Sequence, residues 1–556
     1  MNAPALVLAL VVATPGLPAG MEAEALTALR RAVGFYRTEV SLRGGYHLHY
    51  AADLSYGRSE HAEGPTQVSV QRDGTPAAGM AFLRAYAATG DRFYLEAARD
   101  TALALVRAQL CSGGWHYVVE FDPAQRSRYA YRSDSNCRPG AFNVSTLDDN
   151  VTQAAVRLLA RVDKALGFQD EPIHQAVEFA LARLIHAQYP NGAWPQRFER
   201  PPEAANFPIL NASYPRGWPR QWPGDGYQAH YTFNDNTIAD AIDLFLEAAR
   251  IYGRAEYRRA AERGGDFILR AQMPEPQPAW AQQYDRDMHP AWARVFEPPA
   301  VTGGESQGIL RLLLLLYRET GNRKYLEPVP RALDYLKRSA LPPSDSEIYR
   351  RAARGGGPVL ARFYELETNK PLYITKGTQI QVKGRPGIRP DGYQLSYSDR
   401  SVITHYGVLV NGRGLTAIEQ EYHRVRAADP GGLRRPDTLH GLSPWQRDEA
   451  AAPGQTDIGA LISDLDERGA WVEDGYIGKA DRVLSLFAAR DMVLRVGDRI
   501  LPLKENDTVE VFDGALPPRE RIIRTATFAQ RVEMLCRYLE NARAVSPSPA
   551  KPAAPR

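Results

Sequence analysis

Residues 236–271 decide the fold, and their sequence is NTIADAIDLFLEAARIYGRAEYRRAAERGGDFILRA. Apolar side chains recur at helical spacing in the first half, including Ile238, Phe245 and Ile251, and this pattern predicts an amphipathic helix. Gly253 interrupts the pattern, as glycine commonly does just after a helix C-terminus, and a second amphipathic run follows. The stretch is therefore predicted to be a helical hairpin.

The same hairpin pattern recurs along the chain. A glycine with an aromatic residue four positions later also occurs at Gly90 and Gly321, and three of the patterns end in an Ala-Gln pair. The predicted hairpins span residues 75–108, 149–187, 236–271 and 304–338. Stacked hairpins form an open solenoid or a closed toroid. Long intervening loops such as 188–234 favour the toroid, because solenoid linkers are usually short. The predicted fold class is mainly α, an (α/α) toroid whose loops gather at one mouth.

Composition excludes several classes of protein. The chain has 556 residues, of which 44% are hydrophobic and 24% charged, as in soluble globular proteins. The net charge of +3 gives no basic excess of the kind that marks nucleic-acid binding. Three cysteines form at most one disulfide, for which Cys111 and Cys137 are the nearer pair.

The ends of the chain carry two further signals. The apolar run Ala5–Ala13 is too short to span a bilayer and resembles the core of a signal peptide. We therefore expect a secreted or periplasmic protein with no stable membrane insertion after processing. The expected division is a signal peptide at 1–20, a toroid domain at 21–400 with its core at about 140–380, a mixed α/β region at 401–540 and a disordered Pro-rich tail at 541–556.

Acidic residues open the first helix of three predicted hairpins. Asp148 and Asp149 precede the second hairpin, Asp235 precedes the third and Glu305 opens the fourth. Helix capping accounts for any one of them. Acids at equivalent helix ends would nevertheless converge on one mouth, and carboxylates beside Asn amides are ligands that calcium prefers. We predict that Asp149 and Asp235 lie close together despite their separation in sequence.

Seven short motifs carry a family resemblance. They are STLDDN (145–150), GAWPQ (192–196), YTFND (231–235), AQQYD (281–285), ARVFE (293–297), GGES (303–306) and ARFYE (361–365). In this order they resemble the pectate lyases of polysaccharide lyase family 10. The resemblance implies an (α/α)3 toroid with short strands, and β-elimination on polygalacturonate. It also implies a Ca2+ cofactor that bridges the enzyme and the carboxylate of this acidic polysaccharide.

The resemblance further implies roles for particular residues. Asp149 and Asp235 resemble the metal-site carboxylates, and Asn150 resembles a contact to the substrate or the metal shell. Arg294 resembles the catalytic arginine base, which implies an alkaline activity optimum because a free guanidinium has a pKa above 12. Arg362 resembles a clamp on the substrate carboxylate.

Three more positions are candidate substrate contacts. Lys376 stands where the family pattern usually has an arginine, so the grip on galacturonate or the preferred uronic acid is expected to differ. Trp194 offers a ring that can stack on a sugar, and Asp285 ends the AQQYD motif. The segment 46–60 looks like an N-terminal extension outside the catalytic core.

Two other functions remain open at this point. A glycoside hydrolase on the same toroid would use two carboxylates as acid and base, about 5–9.5 Å apart across the sugar. A non-catalytic polysaccharide-binding protein would keep the fold without the chemistry. The lyase is favoured because Arg294 and Arg362 lie in motifs beside the acids.

Overall fold

The computed structural model describes residues 19–135, 137–224, 226–376, 379–382, 388–390, 393–399, 408–433, 457–477, 483–487, 493–496, 499–502, 508–512 and 520–545. Residues 1–18 of the predicted signal peptide and residues 546–556 of the predicted tail lie outside this part of the chain. None of the helices within it combines the length and the apolar character needed to cross a bilayer.

Helices dominate the described part of the chain. They are α1 (Ala19–Phe35), α2 (Thr75–Thr89), α3 (Arg92–Arg107), α4 (Pro123–Arg126), α5 (Val151–Ala165), α6 (Glu171–His186), α7 (Thr237–Tyr252), α8 (Ala255–Ala271), α9 (Glu305–Thr320), α10 (Val329–Arg338), α11 (Glu347–Ala352), α12 (Gly414–Ala427), α13 (Ile458–Ser463) and α14 (Thr525–Val545).

The fold is an (α/α) toroid with short strands, as predicted. The four expected hairpins are α2–α3, α5–α6, α7–α8 and α9–α10. Their first helices pack side by side as an inner layer, while α3, α6 and α8 pack as an outer layer. Gly90, Gly253 and Gly321 end their helices in the left-handed conformation, with φ of 74°, 69° and 73°. The α2–α3 hairpin lies outside the 140–380 core and adds a fourth unit to the three that the resemblance implied.

The repeated Ala-Gln pairs tie neighbouring hairpins together. Each glutamine donates a hydrogen bond from its side-chain amide to a backbone carbonyl at the next outer helix. The pairs are Gln109 to Ala176 at 2.8 Å, Gln188 to Ala260 at 3.0 Å and Gln272 to Pro328 at 3.1 Å. This part of the sequence repeat is therefore structural.

Short antiparallel ladders close each hairpin at its open end. The strand before each inner helix pairs with a strand that follows the outer helix, in the order β3–β4, β5–β6, β7–β8 and β9–β11. The strands are β1 (His49–Ala51), β2 (Gly57–Arg58), β3 (Gln67–Ser69), β4 (Val118–Glu120), β5 (Ser145–Thr146), β6 (Arg197–Phe198), β7 (Tyr231–Thr232), β8 (Gln283–Tyr284), β9 (Val301–Thr302), β10 (Val359–Ala361), β11 (Phe363–Tyr364), β12 (Pro371–Lys376), β13 (Gln379–Val382), β14 (Ile388–Pro390), β15 (Tyr393–Ser396), β16 (Leu409–Asn411), β17 (Glu473–Gly475), β18 (Val483–Phe487), β19 (Val493–Val496), β20 (Arg499–Pro502), β21 (Thr508–Phe512) and β22 (Glu520–Arg524). The ladders bring the starts of the inner helices to one mouth.

The two ends of the described chain meet in this architecture. Helix α14 packs along α2 and α1, and the buried Arg84 of α2 donates hydrogen bonds to Glu533 at 2.7 Å and Glu540 at 2.6 Å. Helix α14 also runs to Val545, five residues into the segment expected to be disordered. The expected start of the tail at 541 is therefore wrong, because Ala542 is buried and Arg543 donates to a carbonyl of α2.

The expected pairing of cysteines is present. Cys111 and Cys137 form a disulfide, and Cys536 is free and buried in α14.

Candidate active site

Two identical backbone turns build the centre of the mouth. The 3-10 turns Asp148–Asn150 and Asn234–Asn236 directly precede α5 and α7. Each holds two successive residues in the left-handed conformation, at φ 49° and 58° in the first turn and 47° and 59° in the second. Asp and Asn tolerate this conformation better than most residues, yet each left-handed residue costs about 1–3 kcal/mol. The same strained turn thus presents Asp149 from one hairpin and Asp235 from the next.

The two turns bring three carboxylates together. One oxygen from each of Asp148, Asp149 and Asp235 lies within 4.8 Å of the others. The predicted approach of Asp149 and Asp235 is therefore confirmed. Desolvation in the mouth, together with repulsion from Asp148 and Asp149, raises the pKa of Asp235 to about 7. The carboxylates repel one another unless a cation or a proton compensates their charge.

The polar atoms around this acidic trio fit a hard divalent cation. Both amide atoms of the buried Asn150, Oδ1 of Asp148 and Oε2 of Glu305 are buried without a hydrogen-bond partner. Buried polar atoms are normally paired, so these atoms are available to a ligand. Carboxylate and amide oxygens are what calcium selects.

Arg294 lies beside the trio, as predicted. Its Nη2 is 3.9 Å from Oδ2 of Asp235. Its Nε and Nη2 donate hydrogen bonds to both oxygens of the buried Glu297, at 2.8 and 2.7 Å, and Gln282 donates to the same carboxylate at 2.7 Å. Burial by itself lowers the pKa of Arg294, but the hydrogen bonds and charge of Glu297 outweigh it and the pKa is raised.

Arg362 connects the fourth hairpin to the trio. Its Nη2 donates to Oε1 of Glu305 at 2.5 Å and lies 3.5 Å from Oδ1 of Asn234. Asn234 in turn donates to Asp235 at 2.7 Å. Glu305 therefore reaches the mouth, as expected of a helix-opening acid, but it pairs with Arg362, and the third member of the trio is Asp148.

Trp194 is not available to a substrate, and its prediction as a sugar contact is wrong. The side chain is fully buried, stacks on Phe245 with 5.6 Å between ring centroids, and donates from Nε1 to the carbonyl of Leu184 at 2.8 Å. Trp115 makes the corresponding bond to Leu105 in the preceding hairpin. Trp194 is therefore one of two equivalent tryptophans in the sequence repeat, and both pack the core.

The structure says less about the two other candidate contacts, Asp285 and Lys376. Oδ1 of Asp285 accepts hydrogen bonds from the backbone N–H groups of Asp287 and His289, both at 3.0 Å, and so shapes a turn after β8. Lys376 ends β12, but its side chain lies outside the described residues. The roles of Asp285 and Lys376 in substrate binding stay predictions.

Two residues that precede the expected core at about 140–380 contact the trio. Gln71 donates from Nε2 to Asp149 at 3.1 Å and to Glu60 at 3.0 Å. The hydroxyl of Tyr117 donates to Asp148 at 2.7 Å. One signal in the sequence would have found Gln71: it follows the end of β3 by two residues, as Asp148 follows the end of β5.

Known proteins define the class of this chain. Residues 119–394 match the family model of a pectic acid lyase, and the protein is a polysaccharide lyase. The matched part resembles the pectic acid lyase family, as the ordered motifs predicted. Gln71 and Tyr117 lie outside the matched range.

Several solved structures are similar in part. A mutant family 10 polysaccharide lyase from Cellvibrio cellulosa, in complex with trigalacturonic acid, is 22% identical over 63% of this chain and 97% of its own, with a TM-score of 0.40. A family 10 polysaccharide lyase from the same organism is 24% identical over 54% of this chain and 84% of its own, at 0.35. A cellobiose 2-epimerase from Bacillus thermoamylovorans is 11% identical over 95% of this chain and 100% of its own, at 0.40. No curated protein matches the chain.

Proposed function

We propose that this polysaccharide lyase is a calcium-dependent pectate lyase, which cleaves de-esterified polygalacturonate by β-elimination with Arg294 as the base. One observation carries the proposal: three carboxylates lie within 4.8 Å of one another, and the guanidinium of Arg294 is 3.9 Å from Asp235. A metal that binds a substrate carboxylate here would place the uronate next to this arginine.

The trio and Asn150 would hold the ion. Asp148, Asp149 and Asp235 supply the charge, and Asn150 supplies an amide oxygen that has no other partner. A bound calcium ion draws negative charge from the substrate carboxylate and so makes the C5 proton more acidic. Arg362, which donates to Glu305, would hold the carboxylate from a second direction after it exchanges Glu305 for substrate.

Arg294 would receive the C5 proton as the C4=C5 double bond forms and the bond from C4 to the glycosidic oxygen breaks, and the leaving oxygen would take a proton from water. Glu297 orients its guanidinium through two hydrogen bonds, which fixes the plane in which the group lies. The same carboxylate raises the pKa of Arg294 and thus opposes loss of its proton. In the loaded site Asp235 would share its charge with the ion, which removes one of the two anions beside Arg294. We therefore expect activity to rise with pH into the alkaline range.

We also propose export of the protein to an oxidising compartment, outside the cell or in the periplasm. The disulfide Cys111–Cys137 supports this, because such bonds persist mainly where thiols are not kept reduced. The apolar run near the N-terminus agrees with it.

The test is a spectrophotometric assay on polygalacturonate at alkaline pH. We expect an unsaturated, ultraviolet-absorbing product with calcium, and none after chelation. Asp149→Asn should lose the calcium response, whereas Asp287→Asn, on an exposed turn, should keep it. No absorbing product from any polyuronate would refute the proposal.

The two alternative functions predict different products. A glycoside hydrolase would release reducing ends without the absorbance, and a binding protein would release neither.

A further inference from the structure

A cavity of about 690 Å³ opens beside the segment that carries Arg294. Val295, the next residue, lines it together with Trp222, Trp292 and Tyr397. Val295 follows Arg294 in the chain, so one wall of this cavity and the proposed catalytic position belong to the same segment.

The aromatic wall of the cavity is fixed in place. Trp222 donates from Nε1 to the carbonyl of Ala293 at 2.7 Å, and Trp292 donates from Nε1 to the carbonyl of Pro219 at 2.7 Å. The two bonds cross-link the loop around Trp222 to the segment around Arg294. Both indole N–H groups are used internally. Trp222 is half-buried and can offer the flat apolar face of its ring, which suits the C–H face of a sugar, whereas Trp292 is buried and packs within the wall.

The cavity carries no uncompensated charge among its described lining residues. Arg220 is the charged residue among them, and it forms an ion pair with Glu365, whose side chain is 3% exposed. Its guanidinium also lies 4.3 Å above the ring of Trp218, and Tyr397 donates to Glu365 at 2.6 Å. A free uronate carboxylate would find a cation already paired, whereas a neutral group would meet apolar surface.

We propose that this cavity is a subsite for a methyl-esterified galacturonate unit, next to the free uronate held at the acidic trio. The sugar ring lies against Trp222, and its ester methyl group lies against the apolar side chains of the wall, such as Val295 and Leu395. The inference rests on the proposed function and deepens it: the reacting unit must be a free acid, while its neighbour is accepted as an ester.

Binding measurements separate this inference from catalysis. Calorimetric titrations with Arg294→Lys, which is expected to bind without turnover, would compare two trigalacturonates. One is fully de-esterified, and the other carries methyl esters on its non-reacting units. We expect dissociation constants within about threefold of each other.

A charge introduced into the cavity provides the decisive comparison. Gln221 is exposed and lines the cavity, so Gln221→Lys adds a cation without disturbing the core. An exposed ion pair of this kind is worth about a two- to fivefold change in affinity. We expect Gln221→Lys to raise the affinity for the de-esterified trimer by this factor and to leave the affinity for the methylated trimer unchanged. The neutral control Gln221→Met should change neither affinity.

Two results would overturn the inference. In the first, the methylated trimer binds more than tenfold more weakly than the de-esterified trimer. In the second, Gln221→Lys leaves the ratio of the two trimers' affinities unchanged. Failure of the proposed function is a separate observation, since it is the absence of unsaturated product when the wild-type protein meets polygalacturonate with calcium.

Discussion

Replacing Arg294 with lysine separates basicity from geometry. Lysine has the lower free pKa, about 10.4 against more than 12 for arginine, so on basicity alone it would lose its proton more readily and react faster. Arg294 is held by two side-chain hydrogen bonds to Glu297, at 2.8 and 2.7 Å. The single nitrogen of lysine, on a flexible stem, cannot reproduce this planar two-point contact.

The size of the loss follows from these contacts. A hydrogen bond to a charged group is worth about 1.5–3 kcal/mol, which is about 10- to 150-fold in rate if the contact serves only the transition state. A correctly positioned base contributes about 10²–10⁴-fold. We therefore expect Arg294→Lys to lose at least about a hundredfold in kcat, with calcium and substrate binding retained.

The assay measures initial rates of absorbing product across a pH series, with calcium affinity determined separately by calorimetry. Arg286→Lys is the matched control, because Arg286 is exposed on the turn after β8 and should behave as wild type. Retention of more than a tenth of wild-type kcat, or a loss confined to KM, would contradict the reasoning. The base assignment would then pass to Arg362 or be abandoned.

Three further changes test other parts of the structure. Gln71→Ala removes the hydrogen bond to Asp149 and should raise the calcium dissociation constant about 10- to 100-fold in a calorimetric titration; the exposed Gln169→Ala is the control, and equal affinities would show that Gln71 does not support the site. Arg84→Met removes the ion pairs between α2 and α14 and should lower the free energy of unfolding by about 1.5–3 kcal/mol in urea denaturation, so an unmoved midpoint would argue against this contact. Cys111→Ser opens a disulfide between residues 26 positions apart and should cost about 3–4 kcal/mol; the wild type with reductant should then unfold like the variant, and a difference between them would point to another cause.

The hairpins and the acidic pair could be predicted because their signals are local and repeated. Helical periodicity and a glycine after each inner helix are readable within about 40 residues of sequence. Equivalent positions in two repeats then implied that Asp149 and Asp235 meet, although the backbone turn that aims them was not foreseen. The position two residues after the ladder strand, which Asp148 occupies in the second hairpin, leads to Gln71 in the first.

Other features depend on contacts that no local pattern reveals. The prediction for Trp194 is wrong because a tryptophan in a motif can either pack in the core or contact a ligand. Its equivalence to Trp115 in the repeat is what indicates a core residue. Arg294 and Glu297 are only three residues apart in sequence, but their side chains meet only once the turn between them has folded. The contact between α2 and α14 joins residues 449 positions apart.

The seam between α2 and α14 also sets a timetable for synthesis. Arg84 emerges from the ribosome 449 residues before Glu533, a delay of roughly 20–90 s at the usual about 5–20 residues per second. During that interval the face of α2 that α14 will cover has no permanent neighbour, and its apolar side chains are open to chaperones or to another nascent chain. Closure of the toroid by α14 is thus a late event, and the speed of translation across these 449 residues decides how long the uncovered face of α2 is at risk of aggregation.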